Sequence, residues 1–115
     1  MAAEELNPGK ILLLAEGEGR NGVLAAKLGW QVDAYDFSET AKEKALKFAA
    51  SENVEINYTI ADLQAAELIE DYYDAVGIIF LHLPEDLREH VHAKAQRALK
   101  SGGVLILEAY EKEQL

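Results

Sequence analysis

The sequence of 115 residues contains no cysteine, and its 11 lysines and arginines are far outnumbered by 21 aspartates and glutamates. Without cysteine the chain can form no disulfide, no thiolate metal site and no cysteine nucleophile. The net charge of −10 disfavours nucleic acid and anionic membrane surfaces as partners, since both are polyanions. The longest apolar runs, residues 11–15 and 104–107, are far too short to cross a bilayer.

The length and composition favour a single globular domain over residues 1–115. Half of the residues are hydrophobic and 28% are charged, which is typical of such a domain. The first six residues are acidic rather than basic, so they do not resemble a secretory signal. This feature and the absence of cysteine fit a cytoplasmic protein.

Short apolar runs alternate along the chain with amphipathic segments of helical spacing. Five runs predict strands: residues 10–14, 31–35, 54–60, 75–81 and 104–109. Helices are predicted over residues 20–28, after the N-cap Ser38, around residues 63–70 and over residues 84–99. Strands that alternate with helices predict parallel pairing and right-handed crossovers, and therefore an α/β doubly wound domain with helices on both faces of the sheet.

The turn after the first predicted strand is rich in glycine. Gly17, Gly19 and Gly22 match the pattern G-x-G-x-x-G, which here follows a strand and opens a helix, as the motif requires. Glycine lets the backbone turn tightly and approach a ligand closely. The alternative is a tight strand-to-helix turn that binds nothing.

Two aspartates end the next two predicted strands, at the edge where such sheets bind ligands. Asp36 lies 17 residues after Gly19, where a carboxylate can accept both hydroxyls of a ribose. Its alternative role is a solvated acid or a helix cap. Asp62 could accept a hydrogen bond from an adenine amino group while Leu63 packs on the ring, or Asp62 could cap a helix. Both roles of Asp62 can hold at once.

Taken together, these motifs resemble those of class I S-adenosylmethionine-dependent methyltransferases. The nearest group is the small-molecule one that includes tellurite-resistance and thiopurine methyltransferases. The resemblance covers residues 10–110 and implies a Rossmann-like, mostly parallel five-stranded sheet in the order 3-2-1-4-5. It is carried by residues 11–21 (ILLLAEGEGRN), 36–38 (DFS), 61–63 (ADL), Asp74, 82–84 (HLP) and 99–104 (LKSGGV).

The resemblance implies S-adenosyl-L-methionine as cofactor and a small molecule as methyl acceptor. The loop of residues 15–20 would hold the methionine part of the cofactor, with Glu16 and Gly17 closest. Asp36 would bind the ribose, Phe37 would lie against the adenine, and Phe80 would face the sulfonium and the substrate. The complete set of implied cofactor contacts is Ala15, Glu16, Gly17, Gly19, Arg20, Asp36, Phe37, Asp62, Leu63 and Phe80.

Two positions depart from the family pattern. Leu13 stands where the family often has an acidic residue in the first strand, and Ala15 replaces the first glycine of the loop. A tellurite-resistance subgroup with an Ala-Glu-Gly-Glu-Gly-Arg-Asn loop is similar, so we interpret Ala15 as a feature of that subgroup.

Methyl transfer from a sulfonium is an in-line displacement with a good leaving group, so the protein mainly positions the acceptor and excludes water. A general base is optional. His82 follows the fourth predicted strand and is the candidate catalytic base or substrate contact; its alternative is a structural histidine beside Pro84. His90 and His92 are two residues apart on a predicted helix and do not share a face, so no metal site is predicted.

Two other classes of function fit parts of the sequence. An NAD-binding module would use the same glycines and Asp36, but the chain offers no hydride-transfer site. A non-catalytic binding protein is the second alternative, because only nine residues precede the first strand and the chain ends at Leu115. The domain is therefore expected to be shortened at both ends and its sheet incomplete at the C-terminus. The fifth strand is then expected to be an exposed apolar edge. Either two copies of the chain pair through this strand as a homo-oligomer, or the acidic residues 108–114 prevent such pairing.

Overall fold

Five parallel strands form one sheet in the order β3-β2-β1-β4-β5. The computed structural model describes residues 7–79 and 84–108. Its strands are β1 (Lys10–Leu14), β2 (Gln31–Asp36), β3 (Asn57–Ile60), β4 (Tyr73–Ile79) and β5 (Leu99–Glu108). Its helices are α1 (Arg20–Lys27), α2 (Glu39–Ser51) and α3 (Arg88–Ala98), and a short 3₁₀ turn, Glu85–Leu87, precedes α3. The predicted α/β doubly wound fold, its strand order and the helices on both faces are confirmed.

The central strand β1 carries the core. Residues 11–14 are fully buried, as expected for a parallel strand covered on both faces. Ile11 and Leu13 face α1 and α2 within one apolar cluster, while Leu12 and Leu14 lie in a second cluster with α3. Since burial of each such side chain stabilises the fold by roughly 1.5–3 kcal/mol, β1 is the fixed frame for the loop that follows it.

Local signals explain where α2 begins. The hydroxyl oxygen of Ser38 accepts a hydrogen bond from the Ala41 N–H at 3.1 Å, and Glu39 lies in the first turn, where the helix dipole favours a carboxylate. Ala45 and Ala49 face the sheet and are buried. The predicted N-cap is confirmed.

The helix predicted around residues 63–70 is wrong. The chain makes a single turn, in which the N–H groups of Ala65 and Ala66 donate to the Asp62 carbonyl, and it does not continue as a helix. The next carbonyls, of Leu63, Gln64 and Ala66, accept hydrogen bonds from the Lys94 ammonium instead of from amides four residues further on. A distant side chain therefore replaces the bonds that would extend the helix.

Polar side chains form hydrogen bonds on the sheet face that carries Leu12 and Leu14. On β2, Asp33 accepts hydrogen bonds from the Tyr73 hydroxyl at 2.5 Å and from the Asn57 amide at 3.1 Å. Burial and the hydrogen bond to Asp33 raise the pKa of Tyr73 above its usual range, which keeps the hydroxyl protonated as a donor. These hydrogen bonds satisfy polar groups next to the second apolar cluster, of which Tyr73 is a buried member.

The boundaries of two strands differ from those predicted. β3 begins at Asn57 rather than at Val54, and β5 begins at Leu99, directly after α3, rather than at Val104. Tyr73 pairs with Leu99 and Ala75 pairs with Val104, so the register shifts across the glycine-containing residues 100–103. The sequence pattern predicted these residues as a helix stop, and here they form an irregular start to the strand.

The amino end of the sheet is held by a carboxylate. Asp74, on β4, accepts hydrogen bonds from the Lys10 N–H at 2.9 Å and from the Lys100 ammonium at 3.3 Å. These two donors hold the pKa of Asp74 below its usual value. The contacts join β1, β4 and β5 at the end opposite to the glycine loop.

Within the described residues, no helix has the length and apolar character needed to span a membrane.

Candidate functional site

The glycine loop, the end of β2 and the end of β3 meet at the carboxyl edge of the sheet, because the three strands are parallel neighbours. The loop is built from left-handed backbone, with φ of 60° at Ala15, 70° at Gly17 and 91° at Gly19. Ala15 is held in this unfavourable region by its burial and by the hydrogen bond that its N–H donates to the Tyr35 carbonyl.

Asp36 ties the loop to the sheet. Its carboxylate is 4% exposed and accepts two backbone hydrogen bonds, from the Gly17 N–H at 2.6 Å and from the Phe37 N–H at 2.7 Å. A buried carboxylate needs such partners, since an unsatisfied charge is costly away from water. The structure thus places Asp36 at the end of β2 and against the glycine loop.

Tyr58 of β3 was not predicted as a site residue. Its hydroxyl donates a hydrogen bond to the Gly17 carbonyl at 2.6 Å, so both sides of the Gly17 backbone are held. Burial and the nearby carboxylates of Asp36 and Glu16 raise the pKa of Tyr58 above its usual range, and the hydroxyl remains a donor. The signal in the sequence was a tyrosine at an inward position of a strand, where a buried hydroxyl needs a partner.

Glu16 lies inside the loop with its side chain turned to the start of α1. It is 4% exposed, and its Oε1 accepts the Asn21 N–H at 3.0 Å. A carboxylate at this position satisfies one of the first amides of α1 and complements the positive end of the helix dipole. Glu16 therefore fixes the entry of the loop into α1.

An apolar surface lies beside Asp36. Phe37 is 71% exposed, the largest exposed fraction among the large apolar side chains described, and Ile60 at the end of β3 is 39% exposed. Arg20 is exposed at the start of α1, and the exposed Glu18 and Lys44 form an ion pair at 3.2 Å. The edge therefore combines an aromatic ring open to solvent with charged groups around the loop.

Asp62 and Leu63 lie at the end of β3, as predicted. The Oδ1 of Asp62 accepts the Gln64 N–H at 2.9 Å, which gives it the local capping role, and the rest of this exposed carboxylate faces outward. Leu63 is 8% exposed and packs in the cluster that contains Leu12 and Leu14. Its packing therefore connects this segment to the core.

Two predicted site residues, Phe80 and His82, lie outside the described residues. His90 and His92 are on α3, where His90 is exposed and its Nε2 lies 3.0 Å from the Gln64 carbonyl oxygen. Within residues 7–79 and 84–108, no three side chains of the metal-ligating types come together in a metal-binding arrangement.

Residues 11–103 match the sequence model of a family described as a methyltransferase domain, and the chain belongs to this family. A curated relative from Haemophilus influenzae (strain 10810), named "Probable S-adenosyl-L-methionine-dependent methyltransferase TehB", is 28% identical over 109 residues. The match covers 94% of this chain but only 38% of that relative, so the chain spans well under half of its length.

Solved structures agree with this assignment. The crystal structure of TehB from Haemophilus influenzae has a TM-score of 0.81 and 26% identity, and covers 92% of this chain and 37% of that one. The PH0226 protein from Pyrococcus horikoshii OT3 has a TM-score of 0.83 and 25% identity, and covers 94% of this chain and 49% of that one. The predicted family, with S-adenosyl-L-methionine as its cofactor, is confirmed at the level of the family, and the NAD-binding alternative is not favoured.

The loop geometry predicts that its glycines differ in how well they tolerate a side chain. A Cβ on Gly19 would lie 2.7 Å from the Cβ of Ala45, on backbone with positive φ, so Gly19→Ala should lower the free energy of unfolding by about 3 kcal/mol. Gly102 also has positive φ, but a Cβ added there would have no atom within 4 Å. Gly102→Ala should therefore lower the free energy of unfolding by only about 1 kcal/mol. Urea denaturation of both variants measures the difference.

Gly22 provides the opposite case. This glycine lies inside α1, and its Cβ would make ordinary contacts of 3.6–3.7 Å with Val32, Glu16 and Ile56, so Gly22→Ala should be neutral or stabilise the fold by up to about 1 kcal/mol. Equal changes in the free energy of unfolding at positions 19, 22 and 102 would contradict this. They would show that the close packing of the loop against α2 is not the reason for glycine at position 19.

Proposed function

We propose that the carboxyl edge binds S-adenosyl-L-methionine and that residues 1–115 form one domain, the cofactor-binding part of a methyltransferase that acts on a small molecule. The observation that carries this proposal is the buried Asp36 carboxylate, held between the Gly17 and Phe37 amides beside an exposed aromatic ring. A ribose followed by an adenine needs this combination of an acceptor pair and an adjacent flat apolar surface.

The carboxylate of Asp36 has capacity beyond its two backbone bonds. Each oxygen accepts one N–H and has a further lone pair, so the pair can also accept the two ribose hydroxyls. The exposed ring of Phe37 would then lie against the adenine, and Asp62 would accept the adenine amino group. These side chains fit the nucleoside part of the cofactor.

The loop suits the methionine part of the cofactor. Ala15, Glu16, Gly17 and Gly19 shape its backbone, and a left-handed turn with glycine leaves room for a ligand to approach closely. Arg20 carries an exposed positive charge at the start of α1, which suits the carboxylate of the methionine part.

The bound sulfonium supplies an activated methyl group with a good leaving group, so the chain must place the acceptor in line and exclude water. Phe80 directly follows β4, which ends at the same edge as the site, and His82 lies two residues further on. We therefore propose that Phe80 faces the sulfonium and the methyl acceptor, and that His82 acts as a base or contacts the acceptor.

Isothermal titration with S-adenosylhomocysteine and with NADH tests the proposal. We expect S-adenosylhomocysteine to bind and NADH not to bind. Asp36→Asn should weaken binding about 10- to 100-fold, because the variant loses a charged acceptor.

The matched control is Asp74→Asn, another strand-end aspartate that accepts a backbone N–H, but at the opposite edge of the sheet. It should keep the affinity of the original chain even if it is less stable. Tight binding of NADH alone, or equal losses of affinity in both variants, would contradict the proposed site.

We further propose that the chain forms a homo-oligomer through β5. This strand is at the end of the sheet, and within the described residues its outer side pairs with no strand. Val104 is 37% exposed and Leu107 is 48% exposed, one on each face of β5. A second copy that continues the sheet would cover apolar side chains on both faces, which a contact with one face alone would not do.

Light scattering at increasing concentration of the 115-residue chain measures this association. We expect a dimer that Leu107→Lys converts to a folded monomer, because a charge on an edge strand opposes pairing. Leu28→Lys, at a half-exposed leucine at the end of α1, should leave the dimer intact. A monomer at all concentrations would refute the association.

A further inference from the structure

Lys94 holds the segment that follows β3. From the middle of α3, its ammonium donates hydrogen bonds to three carbonyl oxygens of one turn: Leu63 at 3.2 Å, Gln64 at 2.9 Å and Ala66 at 2.6 Å. An ammonium has three N–H donors, so this arrangement uses its whole capacity on one segment.

The three carbonyls resemble the end of a helix in their electrostatics. They belong to the single turn that begins at Asp62 and point toward the same side chain, where their partial negative charges add. A lysine at such a position satisfies carbonyls that lack an amide partner four residues further on. The Nε2 of His90 lies near the same Gln64 carbonyl, at 3.0 Å.

Polar contacts join this segment to α3 in addition to apolar packing, in which Leu63 shares a cluster with Val91 and Ala95. A cavity of about 460 Å³ opens between them, lined by apolar and polar residues, with Ala65 and Leu68 on one side and Lys94 and Arg97 on the other. Arg97 and Glu70 form an ion pair across it at 3.8 Å, with both side chains more than half exposed. Surface pairs of this kind contribute little, so the partly buried Lys94 bonds are the main polar connection.

The segment begins with the residues proposed to recognise the adenine. Gln64 donates its N–H to Asp62 Oδ1, and the Leu63 carbonyl of the same peptide group accepts from Lys94, so the ammonium holds the peptide that orients the Asp62 carboxylate. The Gln64 carbonyl, in the following peptide group, accepts from the same ammonium, so two successive peptides are held.

We propose that Lys94 is a positioning residue for adenine recognition: it keeps Asp62 and Leu63 in the geometry that binds the base. This inference rests on the proposed cofactor site. Lys94 lies on the far side of the segment and acts through Asp62, so its effect depends on the part of the ligand that Asp62 contacts.

The test compares two ligands, S-adenosylhomocysteine and S-inosylhomocysteine, which lacks the adenine amino group. Lys94→Met keeps the apolar stem and removes the donors. It should weaken the binding of S-adenosylhomocysteine about tenfold and the binding of the inosine analogue less than about threefold. The variant would therefore prefer adenine less strongly than the original chain does. Lys94→Arg retains several donors and should stay within about threefold of the original affinity.

Lys27→Met is the matched control. It removes a lysine that makes a 2.7 Å ion pair with Glu52 away from the site, and it should change neither affinity. An equal loss for both ligands in Lys94→Met, or no loss, would overturn the role of Lys94 while leaving the cofactor site intact. Failure of the original chain to bind S-adenosylhomocysteine would instead overturn the proposed function, and the role of Lys94 with it.

Amide exchange provides a readout that needs no ligand. The amides of Ala65 and Ala66 donate within the turn that Lys94 holds, and they should exchange at least about tenfold faster in Lys94→Met than in Lys27→Met. Unchanged exchange in a folded Lys94→Met variant would show that the ammonium does not hold the turn.

Discussion

The arrangement of the carboxyl edge depends on one buried carboxylate. Asp36 joins the Gly17 amide, in the loop after β1, to the end of β2. Without this acceptor the left-handed Gly17 peptide would be held mainly by the Tyr58 hydroxyl on its carbonyl side. Since Glu16 in turn connects the loop to the start of α1, the position of that helix also follows from the Asp36 bond.

At both ends of the central strand β1, an aspartate carboxylate of a neighbouring strand accepts a backbone N–H. At the amino end, Asp74 of β4 accepts the Lys10 N–H, and at the carboxyl end Asp36 of β2 accepts the Gly17 N–H. Each neighbour of β1 therefore contributes one aspartate that fixes one end of it. The two ends differ in surroundings: Asp74 is paired with Lys100, whereas Asp36 lies beside the open ring of Phe37. Only the carboxyl end combines acceptors with an exposed aromatic surface.

Local signals in the sequence were enough to predict the strands, their parallel pairing and the position of Asp36, because apolar runs, glycines and strand ends act through near neighbours. The strand order was predicted from the family resemblance. The contacts that could not be predicted join residues far apart in the chain. The Tyr58 bond to Gly17 and the Lys94 bonds to residues 63–66 need the folded sheet to bring them together. The prediction of a helix at residues 63–70 was wrong for this reason. The local amino acids favour a helix, but in the folded chain Lys94 donates hydrogen bonds to the carbonyls that the helix would use.

The central claim is that an S-adenosyl ligand binds at the carboxyl edge, on the amides that Asp36 and Asp62 organise. Titration of the ¹⁵N-labelled chain with S-adenosylhomocysteine, followed by amide chemical shifts, tests it residue by residue. We expect the largest changes on Gly17, Phe37 and Gln64, whose amides bind these two carboxylates, and little change on Lys10 and Gly102 at the opposite edge. Changes centred on Lys10 and Gly102, or no change at saturating ligand, would contradict it.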